Sequence, residues 1–181
     1  SRDIMRFIAY TSISHFGFIV LGIFAFTSQS LTGSTLYMLN HGMSTAALFV
    51  MAGYLIKRRG SRDINAYGGV DQVAPVLAGL LLFAGLSTLS LPGLSSFVSE
   101  FMVLAGTFGR HPAYAAISTL AIVLAALYIL IMYQRTMTGP VAPEVREKIT
   151  EVNGRERLAM APLVLLILLL GFFPKPLLSI I

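Results

Sequence analysis

The sequence predicts an all-α polytopic membrane protein with five transmembrane helices, the third of them discontinuous. Three observations carry that expectation. Of 181 residues, 56% are hydrophobic and 12% charged, with a mean hydropathy of +0.80, far from the quarter-charged composition of soluble domains. Long apolar runs alternate with short basic loops. Sorted along an alternating five-helix path, eleven of the thirteen Lys and Arg residues fall on one side, as the positive-inside rule expects of a polytopic chain.

Between Phe7 and Ile56 there is no Asp, Glu, Lys or Arg. A spanning helix needs about 20 apolar residues, so this run crosses twice. The first two crossings are predicted over residues 7–26 and 35–56, with the Ser/Thr/Gly-rich residues 27–34 as the turn between them. Lys57, Arg58 and Arg59 stop the second. The next apolar stretch, residues 74–108, would be ~50 Å long as one straight helix, too long for one crossing. Its break is predicted near 91–96, at Leu91-Pro92-Gly93-Leu94-Ser95-Ser96, because Pro removes a donor and Gly frees the backbone. A fourth crossing fits residues 113–134. Residues 135–157, with Gly139, Pro140, Pro143 and mixed charges, read as a solvated connection. Residues 158–181 hold the fifth crossing and a tail, with Pro162 in its first turn and Pro174 and Pro176 ending it.

The basic residues assigned to one side are Arg2, Arg6, Lys57, Arg58, Arg59, Arg62, Arg135, Arg146, Lys148, Arg155 and Arg157, leaving Arg110 and Lys175 opposite. That places the basic loops in the cytoplasm or its equivalent. A net charge of +5 in so apolar a chain reads as orientation, not as a nucleic-acid footprint. Without cysteine there is no disulfide, thiolate metal site or iron–sulfur ligation. The opening Ser1-Arg2-Asp3, lacking an initiator Met, reads as the start of the C-terminal part of a longer polypeptide.

Seven of the eight acidic residues lie in loops or termini; the eighth, Glu100, sits among Phe97, Val98, Phe101 and Met102. An ionisable group inside the bilayer is costly unless paired or hydrated, and marks an ion path by default. If Ser95 or Ser96 caps the half-helix after the break, Glu100 lies about one turn inside, where the dipole favours an anion. Two histidines are also intramembrane. His15 shares a helical turn with Thr11 and Ser12, and His41 lines up with Tyr37, Ser44 and Thr45 at helical spacing, so each helix offers a polar stripe able to hold water. The longer stripe gives His41 the larger expected role. No His pair at i, i+4 exists and the three groups sit on three helices, so no metal site is expected. His111 reads as a surface residue, and Gly17, Gly22 and Gly53 as packing positions.

The blocks Ile8-Ala9-Tyr10-Thr11-Ser12-Ile13-Ser14-His15-Phe16-Gly17-Phe18, Leu39-Asn40-His41-Gly42-Met43-Ser44-Thr45-Ala46-Ala47-Leu48-Phe49 and Leu91-Pro92-Gly93-Leu94-Ser95-Ser96-Phe97-Val98-Ser99-Glu100-Phe101 resemble, in family order, the antiporter-like subunits of respiratory NADH:quinone oxidoreductase, complex I. Glu100, where sister subunits typically carry Lys, and the loop from Arg59 to Gly69 resemble the subunit M branch, subunit 4 of the mitochondrial enzyme. The resemblance implies two inverted five-helix repeats, of which this chain is similar to the second. It implies that Glu100 ends a buried proton path with His41 and His15 as relay groups, and the polar stripes add Tyr37, Ser44, Thr11 and Ser12 as groups able to hold water along it. It also implies partners, namely the other membrane and peripheral subunits of the complex. Those would carry the FMN, the iron–sulfur clusters and the sites for NADH and quinone, with no cofactor in this chain. Two alternatives stay open: a sodium/proton antiporter subunit of the same superfamily, and a structural membrane subunit of a hydrogenase-like complex.

Overall fold

The computed structural model describes residues 2–181. Among these the chain forms nine α-helices, one short 3-10 turn and no strand beyond an isolated bridge between Asp3 and Asp63. Helix α1 (Ile4–Phe24) starts where the Asp3 carboxylate accepts the N–H groups of Met5 at 2.8 Å and Arg6 at 3.0 Å, satisfying donors that a helix start leaves unpaired.

Helix α2 (Ser28–Arg59) begins earlier than the predicted Thr35, and the eight-residue turn shrinks to residues 25–27. Thr27 and Ser30 form a reciprocal capping box. The small polar residues then remain helical because their hydroxyls have partners: Ser30 donates to Thr27 O and Ser34 to Ile19 O, each at 3.0 Å. The helix stops at Gly60, whose φ of +75° suits the left-handed residue that ends it.

After the 3-10 turn Ile64–Ala66 come α3 (Val70–Val73), α4 (Pro75–Thr88) and α5 (Ser95–Phe108). The backbone leaves helical geometry over residues 89–94, slightly before the expected 91–96. Leu94, not Ser95 or Ser96, is the N-cap of α5, and it supplies no side-chain bond. Helix α6 (Pro112–Met137) is followed by α7 (Pro143–Lys148), α8 (Gly154–Phe172) and α9 (Lys175–Leu178). An Asn153–Glu156 capping box starts α8 at Gly154, so Pro162 lies inside that helix rather than in its first turn.

Helix α2 is the hub, packing against α1, α4, α5 and α8, while α5 also touches α1, α6 and α8. Close approach rests on small residues. A Cβ on Gly33 would meet Met102 Cβ and Val103 N, each at 2.8 Å, and one on Gly106 would meet Ser30 N at 2.5 Å. Of the three glycines expected to pack, only Gly22 does, against Ser34 and Val103; Gly17 and Gly53 have nothing within 4 Å.

The outward faces of α1 and α6 are apolar, with Ile13, Phe16, Phe24, Ile117, Leu120 and Leu124 all exposed, which suits hydrocarbon rather than water. Helices α1, α2 and α6 are each long and apolar enough to cross a membrane; α4 and α5 are apolar but shorter.

Residues 135–157 are not the solvated loop that their charge and turn residues suggested. Val145, Ile149 and Val152 are buried in the main core, and the segment straps the end of the bundle. Arg58 spends its guanidinium on Tyr54 O, Thr150 O, Glu151 O and both carboxylate oxygens of Glu156, the shortest at 2.5 Å. That bidentate pairing holds the Glu156 carboxyl below the usual carboxylate range. Arg59 pairs with Glu144. Glu151 accepts the N–H groups of Val76 at 2.7 Å and Leu77 at 2.8 Å, capping α4, whose own N-cap Ala74 offers no side-chain acceptor.

These bonds gather the N-terminus, residues 57–77 and the strap at one end. At the other end Arg110 Nη1 donates to Phe26 O at 3.3 Å and Thr27 Oγ1 to Gly106 O at 3.2 Å. Helix α4 therefore starts at the basic end, and α5 finishes at the opposite one.

Candidate proton-relay site

Midway between those ends the buried polar groups of α1, α2, α4 and α5 converge. Tyr37, on α2, is 1% exposed, and its hydroxyl lies 2.9 Å from His15 Nδ1 and 3.1 Å from Glu100 Oε2. A phenol has one proton to give. With Glu100 ionised, the phenol donates to the carboxylate and accepts from His15, which then carries its proton on Nδ1. His15 Nε2 then presents a lone pair, and that atom is buried without a hydrogen-bond partner among the described residues. Ser90, in the break between α4 and α5, donates its hydroxyl to the same Oε2. Among the described residues Glu100 thus receives two side-chain hydroxyls and forms no salt bridge.

The second histidine stands beside the first. The rings of His15 and His41 are 5.5 Å apart between centroids. His41 Nε2 is 2.7 Å from Ser12 Oγ and its ring lies against Thr45 Oγ1. Beyond Glu100, between α5 and α6, is a cavity of about 130 Å³ lined by Ser90, Glu100, Phe97, Phe101, Leu104 and Ile122. Its lining is almost wholly apolar apart from Ser90 and Glu100.

Five of the seven expected site residues come together here: Glu100, His41, His15, Tyr37 and Ser12. The other two do not join them. Thr11 spends its hydroxyl on Ile8 O at 2.7 Å within its own helix. Ser44 bonds Ser87 at 2.6 Å and Ser96 at 3.1 Å, tying α2 to both flanks of the break. The hydrogen bonding therefore runs between helices rather than along a stripe of α2. Glu100 takes its partners from side chains instead of a serine-capped first turn, and Asn40 Nδ2 reaches Ser95 O at 2.7 Å and Ser99 Oγ at 3.2 Å beside it. Ser90, Ser87 and Asn40 were missed by sequence reasoning, because single polar residues near a break carry no periodic signal. Among the described residues no three His, Cys, Asp or Glu groups are placed to hold a metal ion.

Residues 1–127 match the family described as NADH:quinone oxidoreductase/Mrp antiporter, TM. Over 179 residues the chain is 60% identical to NADH-quinone oxidoreductase subunit M of Mycobacterium tuberculosis, covering 99% of this chain and 32% of the relative. It is 36% identical to NADH-ubiquinone oxidoreductase chain 4 of Marchantia polymorpha, covering 96% of this chain and 35% of that protein. A chain of respiratory complex I from Thermus thermophilus superposes with a TM-score of 0.89 at 34% identity, over 97% of this chain and 37% of that one. The chain spans about a third of the length of the curated relatives it matches. Together with the helical bundle and its buried His, Tyr and Glu groups, these matches show that the chain belongs to the transmembrane family of NADH:quinone oxidoreductase and Mrp antiporter subunits.

Proposed function

We propose that this chain conducts protons across the inner membrane as part of subunit M of NADH:quinone oxidoreductase, driven by redox chemistry on other subunits. FMN, the iron–sulfur clusters, NADH and quinone belong to those partners. The observation that carries the reading is the continuous hydrogen-bonded run from His15 through Tyr37 to Glu100, inside an apolar shell. A proton arriving at His15 Nε2, from His41 through water, is matched by release of the Nδ1 proton to the Tyr37 oxygen and of the phenolic proton to Glu100 Oε2. One charge moves and no side chain travels. A neutral imidazole suits this step because it accepts at one nitrogen and donates from the other. Glu100, protonated at the end of this step, is the group from which the proton leaves the run. A sodium/proton antiporter subunit remains the runner-up, and sodium-dependent transport would favour it.

On this reading the chain crosses five times, with α4 and α5 together forming one discontinuous crossing interrupted at 89–94 and α8 forming the last. Residues 1–134 carry the first four crossings, 135–157 the cytoplasmic connection and 158–181 the fifth with its tail. Single cysteines at Ser61 and Thr150, in a chain that has none, should both be labelled from the cytoplasmic face. Labelling from opposite faces would overturn the topology.

The path itself is tested by Tyr37→Phe, which keeps the ring and deletes the bridging hydroxyl. In the assembled complex, proton pumping per electron should fall about tenfold or more, within the range that loss of a positioned proton-transfer group produces. Undiminished pumping at normal assembly would sink the path.

A further inference from the structure

Ser90 occupies a backbone conformation that suits glycine better. Its φ is +56°, one of two positive values at non-glycine positions among the described residues. It stands at the end of α4 in a Schellman arrangement: Ser90 N–H donates to Ser87 O at 3.2 Å and Leu91 N–H to Leu86 O at 3.1 Å. Glycine is the usual residue there because a Cβ is strained in the left-handed region. The same short break places glycine at Gly93, with φ +94°. Backbone geometry alone therefore gives no reason for serine at 90. The side chain does, since the buried hydroxyl donates to Glu100 Oε2 and lines the cavity beside it.

We infer that Ser90 is a positioning residue, held in an unfavourable backbone conformation so that its hydroxyl fixes the Glu100 carboxyl between Tyr37 and the cavity. Non-Gly residues kept at positive φ by their surroundings are concentrated at functional sites. With Ser90 and Tyr37 both on Oε2, the carboxyl cannot rotate without breaking two hydrogen bonds. The inference rests on the proton path proposed above.

The test separates stability from activity. In the complete complex, Ser90→Gly relieves the backbone and removes the hydroxyl, so thermal stability should hold or rise while pumping per electron falls about tenfold. Ser90→Thr keeps the hydroxyl in a worse backbone setting, so stability should fall while pumping is largely retained. The C=O stretch of protonated Glu100, identified in infrared difference spectra by its loss in Glu100→Gln, should shift in Ser90→Gly, where the carboxyl is no longer held, and stay in place in Ser90→Thr. If Ser90→Gly pumps at the parent rate with the band unmoved, the positioning role is overturned. If the band moves while Glu100→Gln still pumps fully, Ser90 positions Glu100 as inferred and the proton path is what fails.

Discussion

Glu100→Gln is expected to reduce proton pumping to less than about a tenth of the parent rate while the complex assembles normally. Glutamine has nearly the same volume, and its amide oxygen can still accept from Tyr37 and Ser90, so the packing around α5 stays intact. What it cannot do is take up and release a proton, and no other carboxyl approaches this position: the remaining seven acidic residues lie at the ends of the bundle or in loops. Glu100→Asp should retain part of the rate, because the acid survives but its shorter arm cannot keep both hydroxyl contacts. The measurement is proton uptake by inverted vesicles, normalised to electron transfer and to the amount of assembled complex. Full pumping by Glu100→Gln would remove this residue from the mechanism.

The second large effect is on stability. Gly106→Val drives a branched side chain toward Ser30 N and Thr27 Oγ1, which already stand 2.5 and 2.9 Å from where a Cβ would lie. Backbone cannot give way as a flexible side chain does, so α5 must move off α2. Overpacking of this kind costs about 1–3 kcal/mol, and in a membrane, where helices associate through close contact of small residues, it falls on the main driving term. Gly53→Ala is the control, having open space around it, and should be neutral or stabilising by up to about 1 kcal/mol through helix propensity. Denaturant unfolding in detergent should order the three proteins as Gly53→Ala, parent, Gly106→Val. Equal stability of the parent and Gly106→Val would show that the α2–α5 contact is not what holds the bundle.

How much of this was readable in the sequence depends on whether a feature was local. The apolar runs of α1 and α6 and the isolated Glu100, His15 and His41 stand out because polar groups are rare in such segments. The start of α2 was misread because Ser30, Gly33 and Ser34 look like turn residues until their partners on α1 and α5 are known. The strap was misread too, although Val145, Ile149 and Val152 recur at i, i+4 and i+7. Charged neighbours hid that spacing, and the ion partners that neutralise them, Arg58 and Arg59, lie some ninety residues away. The Ser90 turn follows no rule of propensity, since local preference favours glycine there and a contact with Glu100 sets the residue instead.

The Glu151 cap on α4 also bears on the order in which the molecule is made. Val76 N–H and Leu77 N–H find their acceptor 75 and 74 residues later in the chain. At synthesis rates of about 5–20 residues per second, that is a wait of roughly 4–15 s. Through that interval the first turn of α4 has no side-chain acceptor of its own, so its exposed amides must stay in water at the membrane surface. On the topology proposed above, the cap on α4 can close only once the strap has emerged and folded back, so that the bond pair Glu151 makes with Val76 and Leu77 is among the last formed.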